Sequence, residues 1–171
     1  MKKYIFLKIL LIISFNCSDR ASKEVKKVMN YKLTWGMISN YLEGESSCRA
    51  AFTLHNTTNQ TLDNKGWAIF YSQSPRKVTN HSDSNANINQ INGDWYSITP
   101  NKSFSLPAGD QITIQYDMSN FIIKETDAPL YPYLVLYDED GNEKEIRKIK
   151  DYSILPFDKP EKINRGKNDV V

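Results

Sequence analysis

From Tyr31 onward the large apolar residues of this chain recur on every second position, and no stretch carries a convincing 3.6-residue period. Tyr31, Leu33, Trp35 and Met37 alternate with Lys32, Thr34 and Gly36. Cys48, Ala50, Phe52 and Leu54 do the same opposite Arg49, Ala51, Thr53 and His55. Ile112, Ile114 and Tyr116 alternate with Gln111, Thr113 and Gln115, and Tyr133, Val135 and Tyr137 with Leu134 and Leu136. Successive side chains of a strand point to opposite faces, so each run reads as a strand with one face turned to a core. Gly66 opens a further run in which Trp67, Ile69 and Tyr71 face one way and Ala68 and Phe70 the other; it reads as buried on both sides. Turn formers separate the runs: Asn56 to Asn59, Asn92-Gly93-Asp94, Pro107-Ala108-Gly109 and Asp138 to Asn142. Trp95 to Thr99 is a short strand closed by Pro100, and Glu143 to Ile149 returns as a mostly polar one. Residues 72–90 carry no apolar period and read as one long polar loop. Seven or eight short strands with turns between them predict an all-β, antiparallel sandwich of immunoglobulin-like or cellulose-binding-domain-like type.

The 171 residues suffice for one domain with a real core. Formal net charge is +2, with 22 basic and 20 acidic residues interspersed, so no basic stripe offers itself to phosphates and nucleic acid is not expected as a partner. Ten tyrosines and three tryptophans suit a pleated, half-buried surface.

The N-terminus reads as an address. Met1 to Lys3 is basic, Tyr4 to Phe15 is almost wholly apolar, and the run stops at Asn16-Cys17. It is too short to span a bilayer. A Cys directly after such a run, followed by Ser18-Asp19, resembles a bacterial lipoprotein signal, and Ser18-Asp19 is similar to the surface-export tag of Bacteroidetes lipoproteins. The resemblance implies lipidation of Cys17, membrane attachment through that lipid alone, and an outer-membrane or cell-surface location. Ser14 and Phe15 depart from the usual aliphatic and small residues before the Cys. The alternative is a signal cleaved elsewhere, giving a periplasmic protein. The expected organisation is a signal over 1–17, a tether over 18–29, the sandwich over 30–155 and an exit linker over 156–171. Cys48 then lacks a partner and reads as a small buried hydrophobe.

Several segments together resemble one family. They are Leu33-Thr34-Trp35, Ala51 to Thr57, Gly66 to Tyr71, Ile91 to Pro100 and Leu106 to Asp110. Their order and spacing resemble the N-terminal carbohydrate-binding domain of chitobiase-type β-N-acetylhexosaminidases, glycoside hydrolase family 20. The resemblance covers about residues 30–155 and implies a β-sandwich that precedes a catalytic barrel. That barrel's adjacent Asp-Glu pair has no counterpart here: Asp138-Glu139 sits in a hairpin turn and reads as a solvated loop. No enzyme activity is expected of this chain.

No nucleophile-elbow or triad pattern accompanies His55 or His81. Asp83 to Asn87 with Asp94 faintly resembles a calcium loop, but Ile88 stands where a Gly is needed, so neither metal nor cofactor is expected. Four Asn-x-Ser/Thr triplets, starting at Asn56, Asn59, Asn80 and Asn101, read as turn chemistry. Sugar binding needs an exposed flat ring beside groups that take hydroxyls. Trp35 and Trp67 share faces with apolar residues and read as core. Trp95 alternates with Ser97 and Thr99, so it projects outward beside Asn92 and Asp94 and is the leading stacking candidate. Its alternative is packing beneath the long loop. Tyr131 and Tyr133, around Pro132, are the second choice.

The expected function is non-catalytic binding of an N-acetylglucosamine-containing, chitin-type glycan, with a hexosaminidase catalytic domain as a candidate partner. Two alternatives stand beside it: a spacer that binds no sugar, and the leading fragment of an interrupted hexosaminidase.

Overall fold

The computed structural model describes residues 31–40, 46–80 and 85–157. The readings on the signal with Cys17, the tether, His81, Asp83 and the exit linker beyond Phe157 lie outside these residues. Ten strands follow in order: β1 (Tyr31–Asn40), β2 (Ser47–Asn56), β3 (Trp67–Ser72), β4 (Val78–Asn80), β5 (Ala86–Asn92), β6 (Trp95–Pro100), β7 (Gln111–Ser119), β8 (Leu130–Tyr137), β9 (Glu143–Lys148) and β10 (Asp151–Ile154). They form two five-stranded sheets, ordered β10-β1-β2-β7-β4 and β5-β6-β3-β8-β9. Every pair is antiparallel except β1 with β10, which is parallel. The chain is the expected β-sandwich.

The alternation read from the sequence is what builds the core. Leu33, Trp35 and Met37 of β1 meet Leu54, Phe52 and Ala50 of β2 across the ladder, and all six are buried. β7 adds Ile114, Tyr116 and Met118 to the same face. Trp67, Ile69, Tyr71, Tyr96 and Ile98 come down from the second sheet. Phe52 bridges the layers, with its ring 5.0 Å from Tyr71 and 5.8 Å from Tyr116. The indole carried inside finds a partner: Trp35 Nε1 donates to the Tyr116 hydroxyl at 2.9 Å. Cys48 is a fully buried free thiol, as its position in the alternation requires.

Two expectations are corrected. Residues 72–90 are not one loop, because β4 pairs with β7 and β5 with β6. Both are edge strands, and β5 buries just Ala86 and Ile88 while Asn87, Asn89 and Asn92 face water. One short apolar face leaves almost no period to read. Second, β3 is not closed on both sides. Ala68 is buried, but Phe70 and Ser72 stay partly open to solvent on the outer face.

At the exit, Leu155 N–H donates to the Trp35 carbonyl at 2.8 Å. Phe157, two residues past the boundary read from the sequence, packs its ring 6.1 Å from that of Trp35.

Candidate functional site

The outer face of the second sheet carries aromatic rings on three adjacent strands. Trp95 opens β6 directly after the Asn92-Gly93-Asp94 hairpin turn, in which Gly93 takes a φ of +50°. Asn92 and Trp95 close the turn as a ladder pair, so its loop residues are Gly93 and Asp94, and a positive φ at the first of them favours glycine. The turn sets the phase of β6, so Tyr96 and Ile98 point inward and Trp95 outward, 43% exposed. The Trp95 ring stacks on Phe70 of β3, with centroids 5.4 Å apart and planes 30° apart. Phe70 stacks in turn on Tyr133 of β8 at 5.5 Å and 20°. Phe70 is the direct cross-strand partner of both Ser97 and Tyr133. The three rings make one continuous apolar band across the strands.

Polar groups border the band. Ser72 Oγ donates to Asp94 Oδ2 at 2.8 Å, and Gln73 N–H donates to the Asp94 carbonyl at 2.8 Å, which ties the turn beside Trp95 to the end of β3. Gln90 Nε2 donates to the Gly93 carbonyl at 2.6 Å. The following segment is anchored from below: the Tyr96 hydroxyl accepts from Arg76 N–H and donates to the Arg76 carbonyl, both at 2.7 Å. The Arg76 guanidinium donates to the Phe121 carbonyl at 2.7 and 3.0 Å. Asn92 pairs with Trp95 in the ladder and is exposed.

The structure therefore brings together Trp95, Asn92, Asp94 and Tyr133, and adds Phe70, which the sequence reading placed in the interior. Tyr131 belongs to a different feature. It sits at a register shift where β8 passes β3, with a φ of +52° that is unusual for a non-glycine residue, and it is 76% exposed. With Leu130, Lys148, Lys150 and Tyr152 it lines a groove of about 330 Å³ where β8, β9 and β10 meet.

His55 lies on the polar face of β2, its Nε2 3.1 Å from the Gly109 carbonyl. Asp138 accepts the N–H groups of Asp140 and Asn142 at 3.0 and 2.8 Å; these bonds hold its carboxyl below the usual range, so it is a turn-capping carboxylate. Asp83 and Ser84 of the calcium-loop reading lie outside the described residues, and the stretch after Asn85 is the strand β5; among the described residues no group of metal-ligating side chains comes together. Asn56 is wholly buried with its amide engaged, which fits turn chemistry.

A family model described as "Putative carbohydrate binding domain" matches residues 24–169. The matched family is a carbohydrate-binding one and not a catalytic one. Among solved structures, an exo-β-N-acetylglucosaminidase of glycoside hydrolase family 20 from Vibrio harveyi, in complex with N-acetylglucosamine, superposes with a TM-score of 0.55 at 20% identity, covering 74% of this chain and 18% of that one. That likeness shows the fold, and the chain spans 18% of that enzyme's length. A chitin-binding domain from Streptomyces coelicolor gives a TM-score of 0.45 at 18% identity, covering 61% of this chain and 90% of that one. No curated protein matches the chain.

Proposed function

The chain belongs to the family described as "Putative carbohydrate binding domain", and from that premise we propose that it holds a glycan containing N-acetylglucosamine on the outer face of its second sheet, without bond breaking. The observation that carries this is the band Trp95–Phe70–Tyr133 at the solvent boundary. Exposed contiguous aromatic surface on a soluble domain marks a contact site. A pyranose offers apolar C–H faces ringed by hydroxyls. The exposed apolar surface of the band takes the faces, and Asn92, Asp94 and the Tyr133 hydroxyl take the hydroxyls. The amino-sugar identity of the ligand draws on the N-acetylglucosamine held by the Vibrio harveyi enzyme. Tyr131, off the band, is a secondary contact.

The test is a titration of the mature protein with chitin oligosaccharides, followed by Trp fluorescence. A saturable change abolished by Trp95→Ala upholds the reading. No change with any chitin or amino-sugar glycan ends it.

The competing reading is a spacer that binds no sugar. One observation favours it: the three rings already stack on one another, and cross-strand aromatic pairs stabilise a sheet by themselves. It predicts that Trp95→Ala lowers stability while glycans leave the fluorescence unchanged.

For the whole protein the proposal is an exported lipoprotein anchored through Cys17 at the outer membrane or cell surface, working beside a hexosaminidase catalytic domain. Release of Cys17→Ala protein from the membrane fraction would support the anchor. An unchanged distribution would reject it and favour a cleaved, periplasmic form.

A further inference from the structure

We infer that the outer face of the second sheet takes a run of consecutive sugars laid across its strands, and not a single terminal sugar; the inference rests on the carbohydrate-binding reading above. The direction comes from the register. Neighbouring strands lie about 4.8 Å apart. The ring centroids step by 5.4 and 5.5 Å from β6 to β3 to β8, so the band advances one strand per ring. The three residues lie far apart in the chain and converge only through strand pairing.

The same line continues in polar groups at both ends. On the β5 side, Asn89 stands opposite Ser97 and Asn92 opposite Trp95, both exposed. On the β9 side, Lys148 stands opposite Tyr133 and is exposed. Amides, then three rings, then an ammonium therefore cross all five strands of an open sheet face. A site for one chain end has to surround the terminal hydroxyls, which requires a concavity. The band offers breadth instead. One sugar desolvates one ring and leaves the others wet. A chain covers several rings while the cost of immobilising the ligand is met once. Phe70 is the middle ring, so continuity of the band depends on it.

The experiment titrates the mature full chain with N-acetylglucosamine, chitobiose, chitotetraose and chitohexaose by calorimetry. Affinity should rise about ten-fold or more from monosaccharide to tetrasaccharide, a difference of about 1.4 kcal/mol, and level off once the band is filled. Attaching the oligosaccharide through either end to a bulky group should leave binding in place. Phe70→Ala should flatten the length dependence. Phe70→Leu, which keeps an apolar side chain on the outer face of β3 but removes the flat ring, should do the same in a protein that still unfolds cooperatively. Thr53→Ala, on the outer face of the other sheet, should change nothing. Equal affinity for monosaccharide and tetrasaccharide, or loss of binding when the chain end is blocked, overturns the extended-run geometry while leaving the carbohydrate reading intact. No binding by any member of the series overturns both.

Discussion

Asn56 shows how much one buried side chain can organise. Its carboxamide nitrogen donates to the carbonyls of Gln60 at 2.7 Å and Leu106 at 2.9 Å, with Pro107 at 3.2 Å. Its oxygen accepts the Thr58 N–H at 3.1 Å and the Thr58 hydroxyl at 2.7 Å. The end of β2, the turn after it and the segment before β7 are thereby tied at one point. Asn56→Ala leaves buried carbonyls without donors and should cost about 2–3 kcal/mol in urea unfolding. Asn56→Asp is nearly isosteric, but it sets an oxygen against those carbonyls and should cost more than the alanine. A smaller loss for the aspartate would mean that the carbonyls find water. Tyr116 makes a parallel case. Tyr116→Phe keeps the ring but leaves Trp35 Nε1 buried without its acceptor, so a loss of about 1–3 kcal/mol is expected. The turn character of Asn56 to Asn59 was legible in the sequence. The contacts to Leu106 and Pro107 were not, because they depend on where residues fifty positions away are folded.

At the scale of elements, legibility followed hydrophobic period. β1 and β2 each bury one complete alternating set, so their pattern is strong and the reading held. β9 was legible from the Asp138 to Asn142 turn that precedes it. β4 and β5 were lost because edge strands bury few side chains, and β10 because four residues are too few for a period. Even so, β10 is not decoration. It pairs with β1 from Lys32 to Trp35, and Tyr152, Ile154 and Phe157 are half-buried against the core. Half-burial of three such side chains contributes roughly 1 kcal/mol each. Truncation after Lys150 also strips the Leu155 bond from the Trp35 carbonyl. The truncated chain should lose about 3 kcal/mol or more, seen as a lower urea midpoint. An unchanged midpoint would show that β10 contributes nothing to the sandwich. Gly36 offers a finer probe of the same junction. A Cβ there would fall 2.9 Å from Leu155 Cδ1, the far end of a flexible side chain. Gly36→Ala should therefore be mildly destabilising, and Leu155→Ala should relieve that penalty in a double-mutant cycle.

The whole molecule is a sandwich with two unlike outer faces and an unusually phenolic interior. The first sheet's outer face is hydroxyl- and charge-bearing: Thr53 meets Thr113 at 3.2 Å, Thr34 meets Ser153 at 3.2 Å, and Arg49 meets Asp117 at 2.7 Å. The second sheet's outer face carries the aromatic band. That asymmetry was half legible. Trp95 announced itself by alternating with Ser97 and Thr99, whereas Phe70 sits in a run so apolar that only the register with Tyr133 reveals which side faces water. The interior has its own consequence. Burial pushes the Cys48 thiol up to about 12, and it raises Tyr71, Tyr96, Tyr116 and Tyr152 above the ordinary phenol range. These groups keep their protons in the folded state and release them on unfolding, so the unfolded chain binds fewer protons at alkaline pH. Stability is then fully present below the ordinary thiol value and falls as pH climbs, starting near pH 9 with the thiol and steepening past about pH 10 with the phenols. Each group that ionises only on unfolding removes about 1.4 kcal/mol per pH unit. Urea midpoints should thus be level between pH 7 and 8.5 and drop steeply by pH 11. Cys48→Ala should delay the onset by about one pH unit whatever it does to stability at neutral pH. A flat profile to pH 11 would mean that water reaches these phenols in the folded protein, and the dry two-sheet core described above would have to be given up.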